Sequence, residues 1–263
     1  MTSIDIFKLS DVYKYKKNGD DPDIPQRFLN AFPNKKISQE KWEKTIEWRL
    51  KYNIDNKYIE NGICKTKSKI LSMKCPYFKE LKKYFPTIVL GLSKNNLPVI
   101  FEKWGNIDFK KIRELNIKTK HIIWYYLYCM EWLWIHHCPD ENKKLITIID
   151  VNNLVVSDFL KYDGITIFKT LNKIFGNHYV ERTYRIILIN FPPVLYKIYN
   201  MLIPFVSKEH VQKLTIHPKG DFSEIHKYVD INLIPKEYGG KNKENISEND
   251  IEKKLLNFVN LPR

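Results

Sequence analysis

None of the glycine-built signatures of nucleotide or acyl chemistry occurs in this 263-residue chain, which has 9 glycines: no G-x-G-x-x-G, no P-loop and no G-x-S-x-G. Each of those motifs needs glycine so that backbone N–H groups can close on a phosphate or an oxyanion. The nearest approach, Gly91-Leu92-Ser93-Lys94, lacks the second glycine of a nucleophile elbow. H-E-x-x-H is missing as well, and the 7 histidines are dispersed, so no enzyme is expected. Cysteine is scarce. Cys64, Cys75, Cys129 and Cys138 form no C-x-x-C pair, which argues against a disulfide scaffold and leaves four thiols expected to be reduced. His136, His137 and Cys138 stand together, but no second ligand pair follows at usable spacing. They read as a helix end before Pro139, and no metal is expected.

Long hydrophobic runs are also absent. The longest, 122–135, carries Glu131 and is flanked by Lys118, Lys120 and two histidines, so no segment reaches the 18 or so apolar residues that span a bilayer. Near the N-terminus Lys8, Asp11 and a lysine cluster interrupt any signal-peptide pattern, Met1 is not followed by glycine, and no prenylation box closes the chain. The expectation is a cytoplasmic protein. Acidic residues are in deficit, 30 against 44 Lys and Arg, for a formal charge of +14. The lysine doublets 16–17, 35–36, 82–83, 110–111 and 143–144 spread that charge along the chain. Such a surface attracts nucleic acid or the anionic cytoplasmic leaflet, the latter at about 1 kcal/mol per lysine. No RNP sequence or zinc-finger spacing accompanies it, and the aromatics lie in apolar segments rather than beside lysines. Nucleic acid is therefore not expected, and a transient anionic membrane surface is. A plain solvated lysine face stays open beside it.

Apolar material is plentiful: 43% hydrophobic residues, with 14 Phe, 16 Tyr and 6 Trp, enough for a sizeable core. The most informative stretch is 178–205. A charged pair, Glu181-Arg182, precedes an uncharged run at 186–191, short, β-branched and stopped by Pro192-Pro193, which suits a buried parallel strand. The prolines can start a helix without losing a hydrogen bond. In the next segment Val194, Leu195, Ile198, Met201, Leu202 and Phe205 recur at helical spacing, with Lys197 the one charge before Lys208. A helix this apolar is either buried in a core or covers something greasy.

Elsewhere, residues 1–75 look helical and polar, with Ser38 a plausible N-cap ahead of Trp42, Ile46 and Trp48-Arg49, and 65–74 reads as a charged surface connection. Thr87–Leu92 and 98–104 read as a hairpin around Ser93-Lys94-Asn95-Asn96. An aromatic helix at 119–137, a strand at 145–151, a helix at 157–175, a strand at 213–217 and a short helix at 223–229 complete the pattern. Alternating apolar strands and helices predict an α/β sheet covered by helices. Whether 251–258 folds back as a helix is open from the sequence.

Five motifs in order resemble the CRAL-TRIO family of lipid-binding proteins, which includes the phosphatidylinositol and phosphatidylcholine transfer proteins. Tyr179-Val180-Glu181-Arg182 resembles the Y-P-E-R turn, with valine for proline, and Leu188-Ile189-Asn190-Phe191-Pro192 the strand end I-I-N-x-P. Pro98-Val99-Ile100-Phe101 through Gly105 resembles P-V-Y-F-x-x-x-G, 145–151 the core strand (without its glycine), and Pro235-Lys236-Glu237-Tyr238-Gly239-Gly240 the closing P-x-x-Y-G-G. The pairing of Arg27-Phe28-Leu29 with Trp48-Arg49 is similar to the small helical domain preceding the lipid lobe. The resemblance spans about 27–240. It implies an N-terminal helical subdomain (1–75), a lobe with a mostly parallel sheet and an apolar lipid cavity (76–245), and a C-terminal extension (246–263).

That resemblance also implies roles. Tyr126 and Thr147 match the residues that touch the phosphate of bound phosphatidylcholine, whereas Leu145 and Ile100 stand where the family has a serine and a tyrosine. Glu181 and Lys213 match the inositol-headgroup pair; a plain salt bridge is their alternative. The family's basic pair after R-F-L is not in register, and Lys35 and Lys36 stand immediately behind its place. The segment 193–205 matches the mobile gate, with Met201, Leu202 and Phe205 expected to face lipid when closed. The implied protein is a monomeric, peripherally membrane-associated carrier with a bound phospholipid and no other cofactor, exchanging phosphatidylinositol between membranes or presenting it to a lipid kinase. Two alternatives stay open: a non-phospholipid cargo of isoprenoid or tocopherol type, and a non-transferring scaffold for a protein partner.

Overall fold

A computed structural model describes residues 24–60 and 63–262; the Lys16-Lys17 doublet lies outside them. Helices α1 (Gln26–Ala31) and α2 (Lys35–Lys51) come first. The Asn34 side chain caps α2 by accepting the Ile37 N–H at 2.9 Å. Ser38, expected as the cap, lies inside the helix, where its buried hydroxyl donates back to the Asn34 and Phe28 carbonyls at 3.1 Å. Asn caps as well as Ser does, and Asn34, still extended at the start of the helix, takes the position. Strands β1 (Asp55–Glu60) and β2 (Ile63–Ser68) then form an antiparallel hairpin, with Asp55 opposite Ser68. Buried Ile70 and Leu71 come next. The expectation of helix to residue 75 with a charged connection at 65–74 is thus corrected. Thr66 and Ser68 turn inward beside Lys67, and a strand whose inner face is polar shows no hydrophobic alternation.

A second sheet carries the architecture, in the order β3-β4-β5-β6-β7. After α3 (Phe78–Tyr84) come β3 (Thr87–Leu92) and β4 (Pro98–Lys103), paired antiparallel around the expected turn. Helices α4 (Phe109–Glu114) and α5 (Thr119–Trp132) lead to β5 (Leu145–Asp150), parallel to β4. Beyond α6 (Val156–Lys161) and α7 (Gly164–His178), β6 (Thr183–Ile189) and, after α8 (Tyr196–Leu202) and α9 (Lys208–Gln212), β7 (Leu214–Ile216) extend the parallel set. Strand β6 starts earlier than the apolar run, because pairing begins at Thr183 opposite Leu145. The expected helix at 157–175 is two helices. Asp163 turns through φ 64°, and a Cβ on Gly164 would lie 2.5 Å from the Phe159 carbonyl and ring, so only glycine restarts the chain this close to α6.

The sheet has two differently filled faces. On one, Ile88, Val99, Phe101, Ile146, Ile148, Ile187 and Ile189 pack solidly against α10 (Ser223–Tyr228), Ile234 and Tyr238. The other faces α5, α7 and α8. Helix α11 (Asp250–Val259) seals the β3 edge: Asn249 caps it, Leu255 is fully buried, and Glu252 accepts the Val89 N–H at 2.7 Å where β3 bulges. Among the described residues no helix is long and apolar enough to cross a membrane.

One ion cluster joins the N-terminal helices to the lobe. Arg49 of α2 holds Asp55 with Nε and Nη2 (2.6 and 3.0 Å) and Glu131 of α5 with Nη1 and Nη2 (2.9 and 2.7 Å). The Tyr179 hydroxyl adds a bond to Glu131 at 2.6 Å. Burial alone would raise the Glu131 carboxyl, but the guanidinium and the tyrosine hold it below its ordinary value. Arg49→Met strands two buried carboxylates and is expected to cost about 3–5 kcal/mol, read as a fall in the urea midpoint; a loss under about 1 kcal/mol, the level of an exposed pair, would contradict this role.

Candidate functional site

The face of the sheet turned towards α5, α7 and α8 fronts a cavity of about 210 Å³. That exceeds the roughly 150 Å³ of an engineered apolar cavity able to hold benzene. The floor is Ile100 and Glu102 of β4, Leu145, Thr147 and Ile149 of β5, and Ile186 and Leu188 of β6. One wall comes from α5 (Tyr126, Met130) and the helical turn that continues it (Trp134), and another from α7 (Ile167, Phe168, Leu171, Phe175). The segment after Pro192 closes the space with Leu195, Ile198, Tyr199, Leu202, Ile203 and Val206. Parallel strands alternate their side chains, so the β-branched residues on β5 and β6 supply a filled core behind and an oily floor in front.

The closing segment departs from the single apolar helix expected at 193–205. A 3-10 turn (Pro193–Leu195), α8 and a second 3-10 turn (Ile203–Phe205) succeed one another. Pro204, which cannot donate to a continuing helix, falls in the last of these. The change of helix type rotates the faces. Leu202 points inward, with Leu195 and Ile198 beside it, but Met201 and Phe205 are 41% and 45% exposed and Val194 is 70% exposed. Met201 and Phe205 therefore do not face the cavity, which corrects that expectation; Tyr199, Ile203 and Val206 take their place. Outside, Lys169 of α7 sits over the Phe205 ring, 3.8 Å from its centroid.

The residues expected to hold a headgroup fall in three places. Tyr126 and Thr147 line the cavity. Glu181 and Lys213 sit at the starting ends of β6 and β7, beside the lining residues Arg182, Thr183, His210 and Leu214 but not among the lining themselves. Glu181 takes a left-handed conformation (φ 57°) and pairs with Lys144, while Lys213 lies 3.7 Å from Glu181 and pairs with Glu209. Burial opposes the charge on Glu181, yet the Lys144 bond and the Lys213 charge hold its carboxyl below the ordinary value. Lys35 and Lys36 open α2, are exposed, and are not in the cavity wall. Each residue of the 179–182 turn binds a different part of the fold. Tyr179 donates to Glu131, the Val180 carbonyl accepts from Arg27 at 3.4 Å, Glu181 meets the lysines, and Arg182 donates to the Asp140 and Lys143 carbonyls at 2.7 and 3.0 Å.

Sequence reasoning missed Glu102. Only 4% exposed, it accepts from Trp104 Nε1 at 2.7 Å and from the Tyr126 hydroxyl. Burial pushes its carboxyl up, against the two hydrogen bonds, and burial likewise pushes the Tyr126 phenol far above its ordinary value. Alternation could have found it, since Glu102 is two residues from the floor residue Ile100. Among the described residues no three His, Cys, Asp or Glu converge as a metal site; His137 stacks on Trp132 and His136 packs on Phe258.

An acid raised in the folded state binds its proton more tightly there than in the unfolded chain, so that stabilisation is lost as pH rises through the folded value. Glu102→Gln is accordingly expected to melt at higher urea than the parent at pH 7. The advantage should vanish near about pH 4, where an unfolded glutamate is itself protonated; equal midpoints at both pH values would refute the account.

The CRAL/TRIO domain family model matches residues 82–240. The chain is 24% identical over 237 residues to a CRAL-TRIO domain-containing protein of Saccharomyces cerevisiae, covering 86% of this chain and 72% of that protein. It is 22% identical over 240 residues to the SEC14 cytosolic factor of Candida glabrata, with the same coverage of 86% and 72%. To the phosphatidylinositol/phosphatidylcholine transfer protein SFH4 of Arabidopsis thaliana it is 23% identical over 233 residues, covering 85% of this chain but 36% of that one. The crystal structure of Sfh5 matches with a TM-score of 0.62 at 20% identity, over 84% of this chain and 71% of the other, a likeness of fold.

Proposed function

The chain belongs to the CRAL/TRIO domain family, and from that premise we propose that it is a lipid carrier whose first cargo is phosphatidylinositol, exchanged between membranes or presented to a lipid kinase. The observation that carries the reading is an apolar cavity closed by an interrupted helix whose outer side is also apolar. A diacyl lipid has about thirty methylenes at about 0.8 kcal/mol each, so crossing water bare costs on the order of 20 kcal/mol. A cavity floored by Ile149, Ile186 and Leu188 and covered by Ile198 and Leu202 removes that cost. Exchange is then a matter of opening and needs no covalent step. The relatives named for phosphatidylinositol/phosphatidylcholine transfer support the cargo class. The Glu181–Lys213 pair beside the cavity supports the headgroup, because a polyhydroxyl ring both donates to a carboxylate and accepts from an ammonium. Lys213→Ala is expected to lower phosphatidylinositol transfer between vesicles at least about tenfold, a loss of roughly 1.4 kcal/mol, with the circular dichroism spectrum unchanged. Unaltered transfer refutes the headgroup assignment.

Docking uses the same surface. Val194, Tyr196, Met201 and Phe205 are exposed on the closing segment beside the exposed Lys197 and Lys208. An apolar patch rimmed by cations suits the interface of an anionic bilayer, and the carrier would meet it as a monomer, peripherally and transiently. Val194→Asp with Phe205→Asp should cut transfer to anionic vesicles by about tenfold or more while co-purified lipid is retained; full transfer by the double variant would place docking elsewhere.

A non-phospholipid cargo is the second reading. Ile100 and Leu145 are apolar positions in the cavity floor, and Lys35 and Lys36 stand away from it, so phosphate-binding groups at the floor are few. Mass spectrometry of lipid extracted from the protein purified from eukaryotic cells separates the two. The scaffold alternative expects a filled interior and loses ground to the cavity.

A further inference from the structure

The carrier reading leaves one buried acid without a role, and any part it plays in choosing cargo rests on that reading. Glu102 stands in the wall of an apolar cavity, and both of its hydrogen-bond partners, Trp104 and Tyr126, are neutral. A carboxylate offers about four acceptor sites, so two remain after those bonds. Tyr126 has one phenolic proton, and that proton goes to Glu102; towards anything else in the cavity the phenol oxygen is an acceptor. Asn172 of α7 spends one amide N–H on the Phe168 carbonyl at 2.9 Å, which leaves its side-chain oxygen and a second N–H. Thr147 adds a hydroxyl from the neighbouring strand, where Ile149 is the residue opposite Glu102. The wall therefore offers more acceptors than donors.

We propose that Glu102 sets the cargo chemistry at this wall: it accepts the hydroxyl of a neutral lipid alcohol and turns away a phosphate. A phosphate needs donors, and here it would meet a carboxylate and a phenol whose proton is already taken. A hydroxyl brings its own proton and gains a charge-assisted bond. The phosphate of any phospholipid is left to the far end of the sheet. There Lys144 and Lys213 flank the level of the Leu145–Thr183 pair, four strand residues or about 13 Å from the level of Glu102 and Ile149.

Three probes of one chain length test this: farnesol, farnesyl methyl ether and farnesyl phosphate, titrated into the full chain and into Glu102→Gln, with binding read by calorimetry. Glutamine keeps the size and an acceptor but removes the charge. The parent is expected to prefer the alcohol over the ether by about tenfold or more, and the substitution to move the alcohol-to-phosphate affinity ratio at least about tenfold towards phosphate. Circular dichroism controls for folding, and Thr147→Val, which leaves the charge in place, should move that ratio less than about threefold. If all three probes bind the parent and Glu102→Gln moves the ratio by less than tenfold, the Glu102 assignment is overturned while the carrier reading stands. If none binds the parent, the Glu102 assignment falls, and the carrier reading stands or falls separately on phosphatidylinositol transfer between vesicles.

Discussion

Arg49 is the constraint on which the rest of the structure hangs. Its planar fork is filled twice, by Asp55 at the start of the hairpin and by Glu131 in α5, and no other side chain presents five donors in that geometry. Around it Trp48 stacks on His178 at 4.3 Å, and Thr45 meets the same imidazole at 3.1 Å. Burial, helped by the charges of Arg49 and Lys41, pushes His178 down to about 4, so the ring is neutral where it stacks. The helical N-terminus is thereby keyed to α5 and α7 together. Those two helices pack on each other through Tyr126 and Phe175, and both line the cavity, so the cluster fixes the position of two of its walls.

Much of this architecture was legible, for a physical reason. A buried parallel strand must be apolar throughout, and 145–151 and 186–191 advertise it. Gly105 was legible as part of a motif, though its reason is spatial: a Cβ there would lie 1.5 Å from the Asn152 carbonyl, so the end of β4 and the loop after β5 touch backbone to backbone. The closing element is similar. Tyr238 donates to Asp150 at 2.6 Å, and Asp150 also accepts from Asn190 at 2.9 Å. One carboxylate thus gathers the ends of β5 and β6 and the closing loop, three of the five motifs read in the sequence. The hairpin β1–β2 escaped because its inward residues Thr66 and Ser68 are polar, and the break before Gly164 escaped because the helical pattern runs through it.

The site was legible in its apolar part and misread in its polar part. Periodicity assumes one helix type, and the closing segment changes type twice, from 3-10 to α and back, so Met201 and Phe205 came out on the wrong side. Tyr126 and Thr147 were placed from resemblance, and both line the cavity, but resemblance carries positions and not protons. Glu102 alters what Tyr126 can do, and a glutamate inside a strand otherwise reads as a solvent-facing residue. Pairings such as Lys144 with Glu181 depend on contacts 37 residues apart and have no local signature.

In the carrier proposed above, these features together define how the closing segment would move. At its entry Pro192 and Pro193 come after Asn190, which is held in the left-handed region (φ 55°) by its bond to Asp150; that end is anchored to the sheet. At its exit the chain passes straight into α9, whose Glu209 pairs with Lys213, and Lys213 in turn faces Glu181. Between these anchors the contacts are apolar side chains against a cavity, plus one exposed cation over the Phe205 ring. Apolar contacts are lost in water and regained in a bilayer, so the segment is stable shut in solution and loses little by opening at a membrane. Ion pairs do not exchange in that way: lifting α9, which carries Lys213 at its end, into a low-dielectric interface would strengthen the penalty for separating Lys213 from Glu181. Opening of the proposed gate would therefore be easiest as a rotation of 193–205 about two fixed ends. The lysine at the exit hinge is then also the one beside the expected headgroup, and a ligand that engages Lys213 acts on the hinge itself.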